Sequence, residues 1–212
     1  MRVLLLSSGA GALPAFLEEA VRPGALRIGY VPDAALPDAA LPDPGAPFAS
    51  SELERIAAFG HRVEVVRLSG SPLDEIEQAL DRVDALYVAG GNTFALLHAM
   101  RSTGADRAIT DRVRAGLPYI GLSAGSVVAG PTIEPITLMD DPTEAPELGD
   151  RSGLGLVDTV VVPHAGGLSP LAEVTGRIVA EYGARHPLRL LTDDQALVLD
   201  GRGEGLRLIA SH

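Results

Sequence analysis

Tyr119-Ile120-Gly121-Leu122-Ser123-Ala124-Gly125 runs from an apolar segment of strand length into a series of small residues, and it decides how the rest of the chain is read. An apolar pair, then Gly-x-Ser-x-Gly, then a helix start of small residues marks a sharp strand-to-helix turn. Small neighbours are needed there because the strand and the helix pass close together. In such a turn the Ser123 hydroxyl points out of the sheet, while the Ala124 amide, at a helix N-terminus, faces any negative charge that develops beside it. Ser126 lies one turn further into the helix and reads as structural.

Outward from this turn, continuous apolar runs recur at 3–6, 26–31, 63–66, 85–89, 119–122 and 159–162. Runs that do not alternate with polar residues suit strands buried on both faces of a parallel sheet. Between them, helical patterns fill 12–22, 49–60, 72–82, 93–103, 105–116 and 169–182, with Ser71, Asn92 and Ser169 standing as capping residues. This alternation predicts an α/β fold: a mostly parallel, doubly wound sheet with flanking helices. Near the C-terminus, 188–191, 196–199 and 206–209 are short apolar pieces separated by turns such as Asp200-Gly201. They predict antiparallel hairpin strands closing one edge of the sheet. Two irregular stretches, 32–48 with its near-repeat of Ala-Ala-Leu-Pro-Asp and the acidic 139–153, are rich in Pro and Gly and read as surface loops. The first is a solvated connection or a lid over a site. No linker divides the chain, so 1–212 is read as a single domain.

Composition narrows the chemistry. A chain of 212 residues buries about 70–75% of the surface its unfolded form exposes, so its core needs no staples. It has no cysteine, which excludes disulfides, thiolate metal sites and a thiol nucleophile. A net charge of −11 argues against a nucleic-acid partner, because phosphates must be neutralised by a basic face. No apolar run approaches the roughly 20 residues that span a bilayer, so no membrane partner is expected. Met1 to Gly9 carries one charge and a short apolar stretch, which reads as a first buried strand of a cytoplasmic protein.

A serine hydroxyl at its ordinary pKa is a weak nucleophile and needs a base beside it. Of the five histidines, His212 is terminal, His61 begins a strand, His98 sits among Leu96, Leu97 and Met100, and His186 precedes Pro187 in a turn. His164 differs. It ends the run Val160-Val161-Val162-Pro163 and precedes Ala165-Gly166-Gly167, which places it at the carboxyl edge of a strand, where open α/β sheets hold their ligands. A third turn, Tyr87-Val88-Ala89-Gly90-Gly91-Asn92-Thr93-Phe94, has two glycines where backbone must approach a ligand. Its amides can supply a second oxyanion donor, and Asn92 can cap the helix that follows.

Together, Gly90-Gly91-Asn92-Thr93, the Gly-Leu-Ser-Ala-Gly turn with downstream Gly130-Pro131-Thr132-Ile133, and Pro163-His164 resemble the dipeptidase E (aspartyl dipeptidase) and cyanophycinase family of serine peptidases. That family is related in fold to class I glutamine amidotransferases. The resemblance implies Ser123 as nucleophile, His164 as general base, the amides of Gly91 and Ala124 as oxyanion hole, and Gly90, Asn92 and Thr93 beside the substrate. Family members differ in the third triad residue, which lies either in the loop after the nucleophile helix or near the C-terminal strands. Here the first position lands on Leu138, with Asp140 and Asp141 just beyond it, and the second on Asp193, with Asp194 adjacent. Asp193 is the preferred candidate and Asp140 the runner-up. Aspartyl dipeptidases bind the substrate Asp with a basic side chain after the histidine. In this chain Gly166 to Val174 is uncharged but for Glu173, which leaves Arg177 as the candidate and strict Asp-X specificity unexpected.

The implied reaction is acyl transfer from a small peptide to water, without metal or organic cofactor; a homodimer is compatible with it. Two other readings stay open on the residues alone. An esterase of the α/β-hydrolase type would accept the order Ser123, Asp140, His164. A non-catalytic binding module on an amidotransferase-like scaffold would use the same turns without turnover.

Overall fold

The computed structural model describes residues 1–21, 24–35, 47–166, 171–201 and 205–211. Seven strands form the main sheet: β1 (Val3–Leu6), β2 (Arg27–Val31), β3 (Arg62–Val65), β4 (Ala85–Val88), β5 (Tyr119–Leu122), β8 (Gln195–Leu199) and β9 (Arg207–Ala210), in the order β3-β2-β4-β5-β1-β8-β9. The first five in that order are mutually parallel. β8 runs antiparallel to β1, and β9 antiparallel to β8, so the expected hairpin closes the edge beside β1.

The apolar runs serve both faces. Val3 and Leu5 of β1, with Leu86 and Val88 of β4, face a core shared with α3 (Leu73–Arg82), α4 (Thr93–Thr103), α5 (Ala105–Ala115) and α6 (Ala124–Val128). Leu4 and Leu6, with Ile28, Tyr30, Tyr87 and Ile120, face a second core under α1 (Leu13–Ala20) and α2 (Pro47–Ala58). This two-sided burial is what continuous apolar strands require. β3 departs from it: as an edge strand with Arg62 and Glu64 it is only partly covered, and Val65 is 47% exposed.

Two expectations need correction. Residues 188–191 do not join the hairpin, because β7 (Leu188–Leu190) pairs in parallel with β6 (Val160–Val162) in a separate two-stranded sheet. The chain between them forms α7 (Ala172–Tyr182). A strand, a helix and a returning strand make a crossover unit, which pairs its strands in parallel. Ser71 does not cap α3, since Pro72 takes the N-cap in extended conformation with no side-chain bond; Asp74 and Glu75 in the first turn complement the helix dipole instead. The lid reading of 32–48 falls largely outside the described residues, as does the capping role of Ser169, while α2 already begins at Pro47. The Asn92 cap is present: its Oδ1 accepts the amides of Phe94 at 2.8 Å and Ala95 at 3.0 Å. The acidic loop 139–153 is strapped to α4 by Arg101, which donates to the carbonyls of Asp150 and Ser152. Among the described residues, no helix is long and apolar enough to cross a membrane.

The turn after β5 is built by exclusion of side chains. A Cβ on Gly121 would come within 2.4 Å of the Gly125 carbonyl oxygen, and one on Gly125 within 2.2 Å of the Val88 carbonyl oxygen. Both neighbours are backbone and cannot swing away. The Tyr119 hydroxyl donates to that same Gly125 carbonyl at 2.6 Å, tying β5 to the first turn of α6. Ser126 is fully buried, its Oγ 2.7 Å from the carbonyl oxygens of both Leu6 and Gly121, which is the structural role expected of it.

Two outcomes follow from this packing. Gly125→Ala should lower the unfolding free energy by about 3 kcal/mol or more through backbone overlap, whereas Gly176→Ala, on α7 with nothing near its added Cβ, should raise it by about 0.5–1 kcal/mol. Urea denaturation of the two variants checks both signs. Elsewhere in the second core, Glu52 is 4% exposed and accepts the Tyr30 hydroxyl at 2.7 Å, with Tyr30 stacked on Tyr87. Burial, partly opposed by the Tyr30 bond and the Arg55 charge, pushes its carboxyl from 4.5 up to about 7. A carboxyl raised in the fold favours the folded state below its unfolded pKa and loses that contribution as pH rises through the folded value. Between about pH 5 and pH 8, wild type should therefore lose roughly 2–3 kcal/mol more stability than Glu52→Gln, measured by denaturation at each pH.

Candidate active site

Strand direction brings distant residues to one rim of the sheet. Leu6 lies opposite Leu122 in the parallel pair and opposite Ala196 in the antiparallel pair. The end of β1, the end of β5 and the start of β8 therefore coincide, and Val88, opposite Gly121, brings the end of β4 beside them. Ser7, Gly90, Ser123 and Asp193 all stand just beyond these strand ends.

Ser123 follows Leu122 with φ 48° and ψ −107°, a region that side chains rarely occupy. Its amide donates to the Leu6 carbonyl at 3.0 Å, and its own carbonyl accepts the amides of Ser126 at 2.8 Å and Val127 at 3.0 Å. The strained residue is thus fixed on both sides, and its hydroxyl faces His164. Ser123 Oγ lies 3.0 Å from His164 Nε2, and His164 Nδ1 lies 2.6 Å from Asp193 Oδ1. The structure brings together the serine, the imidazole and the preferred carboxylate of the sequence reading.

The runner-up carboxylate is elsewhere. Asp140 Oδ2 accepts the Thr93 amide at 2.8 Å at the N-terminus of α4, and no hydrogen bond joins it to His164 among the described residues. Burial raises its pKa, while the Thr93 bonds and the charge on His164 oppose that shift. Asp141 caps its own turn, accepting the Thr143 amide at 2.9 Å, and its carbonyl accepts from Asn92 Nδ2 at 2.9 Å. Asp194 receives the Thr192 hydroxyl. Leu138 is a partly buried apolar residue packed on the core. The acid on the ring is therefore Asp193, and the order Ser123, Asp140, His164 of the esterase reading is not assembled.

The glycine turn after β4 is equally constrained. A Cβ on Gly90 would press to 3.3 Å from Ser123 Cβ. Gly91 has φ 139°, and its added Cβ would lie 2.1 Å from the Ala34 carbonyl oxygen, which accepts the Asn92 amide at 2.7 Å. Among the described residues, no protein oxygen is recorded accepting the Gly91 or the Ala124 amide. Arg177 is exposed on α7, whose buried side chains are Thr175, Ile178 and Tyr182, and among the described residues no hydrogen bond or ion pair joins it to Ser123, His164 or Asp193. The remaining histidines are structural in setting. His61 Nδ1 accepts the Leu26 amide at 3.4 Å, His98 is half-buried on α4, and His186 leans on Tyr182 and Glu134, while His212 lies outside the described residues.

One residue of the site has no motif to announce it. Ser7, fully buried at the end of β1, accepts the His164 amide on its Oγ at 2.8 Å. Its only signal in the sequence is a polar residue closing an apolar run.

Comparison with known proteins identifies the family. The profile of peptidase family S51 matches residues 3–207. An uncharacterized peptidase of Listeria monocytogenes is 30% identical over 200 residues, covering 94% of this chain and 95% of its own length. Peptidase E of Streptomyces coelicolor is 34% identical over 170 residues, covering 77% of this chain and 64% of its own. The crystal structure of a candidate peptidase E protein from Listeria monocytogenes superposes with a TM-score of 0.85 at 29% identity, covering 99% of this chain and 98% of that one. The fold, the rim where the three turns meet and these matches agree with the family that the motifs resemble: the chain is a peptidase and belongs to peptidase family S51.

Proposed function

We propose that this peptidase hydrolyses short peptides through an acyl-enzyme on Ser123, with His164 as general base and Asp193 as the acid that orients it. The observation that carries the reading is the continuous contact from Ser123 Oγ to His164 Nε2 at 3.0 Å and from His164 Nδ1 to Asp193 Oδ1 at 2.6 Å. With the Nδ1 proton directed at the carboxylate, the Nε2 lone pair faces the hydroxyl, which is the tautomer a general base needs. His164 takes the Ser123 proton as Oγ attacks the scissile carbonyl carbon, and the carbonyl oxygen becomes an oxyanion. The imidazolium, stabilised by Asp193, then gives its proton to the departing amine as the C–N bond breaks. Water, deprotonated by the same ring, attacks the ester, and Ser123 regains its proton as the acid product leaves.

The Gly91 and Ala124 amides are the donors we assign to that oxyanion. They lie in the two turns that flank Ser123 and carry no protein acceptor among the described residues. Loss of one such donor typically costs about 10²–10³ in rate. On the β4 side Gly90 packs against Ser123, while the Asn92 side chain caps α4 and Thr93 is buried with its amide on Asp140. On specificity, the charged side chains that interact with the His164 ring among the described residues are carboxylates: Asp193, bonded to it, and Asp140, whose pKa feels its charge. A substrate with an acidic side chain therefore finds no cation among these residues, so we infer cleavage of short peptides without strict Asp-X preference.

Turnover of a dipeptide library that includes Asp-X members, followed by chromatography, tests the reading. Ser123→Ala should reduce kcat by about 10³-fold or more, and Asp193→Asn by about 10²–10⁴-fold with little change in KM. Asp140→Asn should stay within about tenfold of wild type, because its carboxylate does not touch the ring. Full activity in Ser123→Ala would reject the nucleophile, and a deeper loss in Asp140→Asn than in Asp193→Asn would reverse the choice of acid.

A further inference from the structure

We propose that Ser7 is a positioning residue for the base and its carboxylate, a role that rests on the Ser123–His164–Asp193 reading above. His164 has φ 57°, one of two positive-φ residues other than glycine among the described residues. A left-handed backbone at a residue with a ring is held only if its surroundings fix it. One fixing contact is the amide of the next residue, Ala165, which donates to the Leu191 carbonyl at 2.9 Å. The other is the His164 amide itself, which donates to Ser7 Oγ at 2.8 Å.

The same hydroxyl reaches the acid. Ser7 Oγ lies 3.4 Å from Asp193 Oδ1, the oxygen that His164 Nδ1 meets at 2.6 Å, and 3.4 Å from the Leu191 carbonyl oxygen. With its lone pair engaged by His164 N–H, the hydroxyl hydrogen is directed to one of these two acceptors. The backbone around Ser7 holds the Asp193 loop as well: Ser7 N donates to Gln195 O at 3.4 Å, and Gly9 N donates to Asp193 O at 2.7 Å. Gly9 is packed so closely on the C-terminal segment that an added Cβ would overlap the Ser211 carbonyl. A fully buried hydroxyl on the first residue after β1 thus contacts the main chain of the base and the side chain of the acid. It sets the distance between two groups that approach from different elements. A serine here that only satisfied a buried amide would support the fold without influencing the ring.

The test compares wild type, Ser7→Ala, Ser7→Cys and Ser123→Ala as full chains. It measures kcat and KM on the best dipeptide, kcat/KM against pH, the rate of Ser123 labelling by a fluorophosphonate, and thermal melting to confirm folding. Alanine removes the acceptor, and cysteine keeps the shape of the side chain with a larger atom that is a much weaker acceptor. Ser7→Ala should lower kcat by about 10–100-fold, as displaced catalytic groups do, with KM within about threefold and labelling slowed in parallel. A loosened His164–Asp193 contact stabilises the imidazolium less, so the acid limb of kcat/KM should move to lower pH. Ser7→Cys should fall between the two. A folded Ser7→Ala with kcat within twofold of wild type and an unmoved acid limb overturns the proposal. If alanine does not fold, the same result in Ser7→Cys overturns it. When Ser123→Ala is inactive, such a result rejects Ser7 alone; when Ser123→Ala keeps full activity, the relay fails and the role of Ser7 fails with it.

Discussion

Leu6 pairs with Leu122 on one side, running in the same direction, and with Ala196 on the other, running in the opposite direction. Everything at the site depends on that register. A parallel neighbour places its carboxyl end beside the carboxyl end of β1, while an antiparallel neighbour places its amino end there. The residue after β5, the segment before β8 and the first residue after β1 are therefore drawn to one point, although they are far apart along the chain. A slip of one residue would turn the side chains of β1 to the opposite face. It would exchange Leu4 and Leu6 with Val3 and Leu5 between two fully packed cores. The burial that stabilises the sheet is the same constraint that fixes the geometry of the site.

The parts of the site legible in the sequence are those with a local physical cause. Gly-Leu-Ser-Ala-Gly is readable because a sharp strand-to-helix turn leaves no room for side chains, Gly121 standing against Gly125 of the same turn and Gly125 against Val88 of the neighbouring strand β4. His164 is readable because it ends an apolar strand before two glycines. Asp193 and Asp140 were harder to separate, since both follow the general pattern of an acid on a loop near the rim. What decides between them is the antiparallel direction of β8, a consequence of tertiary pairing that residue order does not contain. The same applies to Ser7, whose partner comes from a distant strand end. The assignment of 188–191 to the hairpin failed for a related reason: short apolar runs reveal burial but not their partner. The intervening helix α7 carried the missing information, because a crossover through a helix favours parallel pairing.

The carboxylates near the site show how position divides labour among chemically equal groups. Asp193 is 56% exposed at its side chain and takes its bond from the His164 ring. Asp140 sits deeper, bonded to the Thr93 amide, where desolvation raises its pKa against the pull of that bond. An acid whose task is to orient the imidazole needs an oxygen directed at the ring N–H, which the segment before β8 supplies. An acid at the first turn of a helix has a different task, completing the hydrogen bonding of exposed amides and meeting the positive end of the dipole. The two environments support different roles for two residues that composition treats alike.

Backbone strain follows the same map. Among the described residues, positive φ outside glycine occurs at Ser123 and His164, the two residues whose side chains meet. Each such residue costs on the order of 1–3 kcal/mol, so it persists only where its neighbours over-determine it. Ser123 is held by Leu6, Ser126 and Val127, and His164 by Ser7 and, through Ala165, by Leu191. Both sets of holding contacts include residues at the end of β1, Leu6 for the serine and Ser7 for the histidine. Two consecutive residues of one buried strand end thus fix the main chain on either side of the Ser123–His164 contact. Because a packed strand end shifts less than a loop, the 3.0 Å separation rests on a fully buried strand end rather than on loops alone.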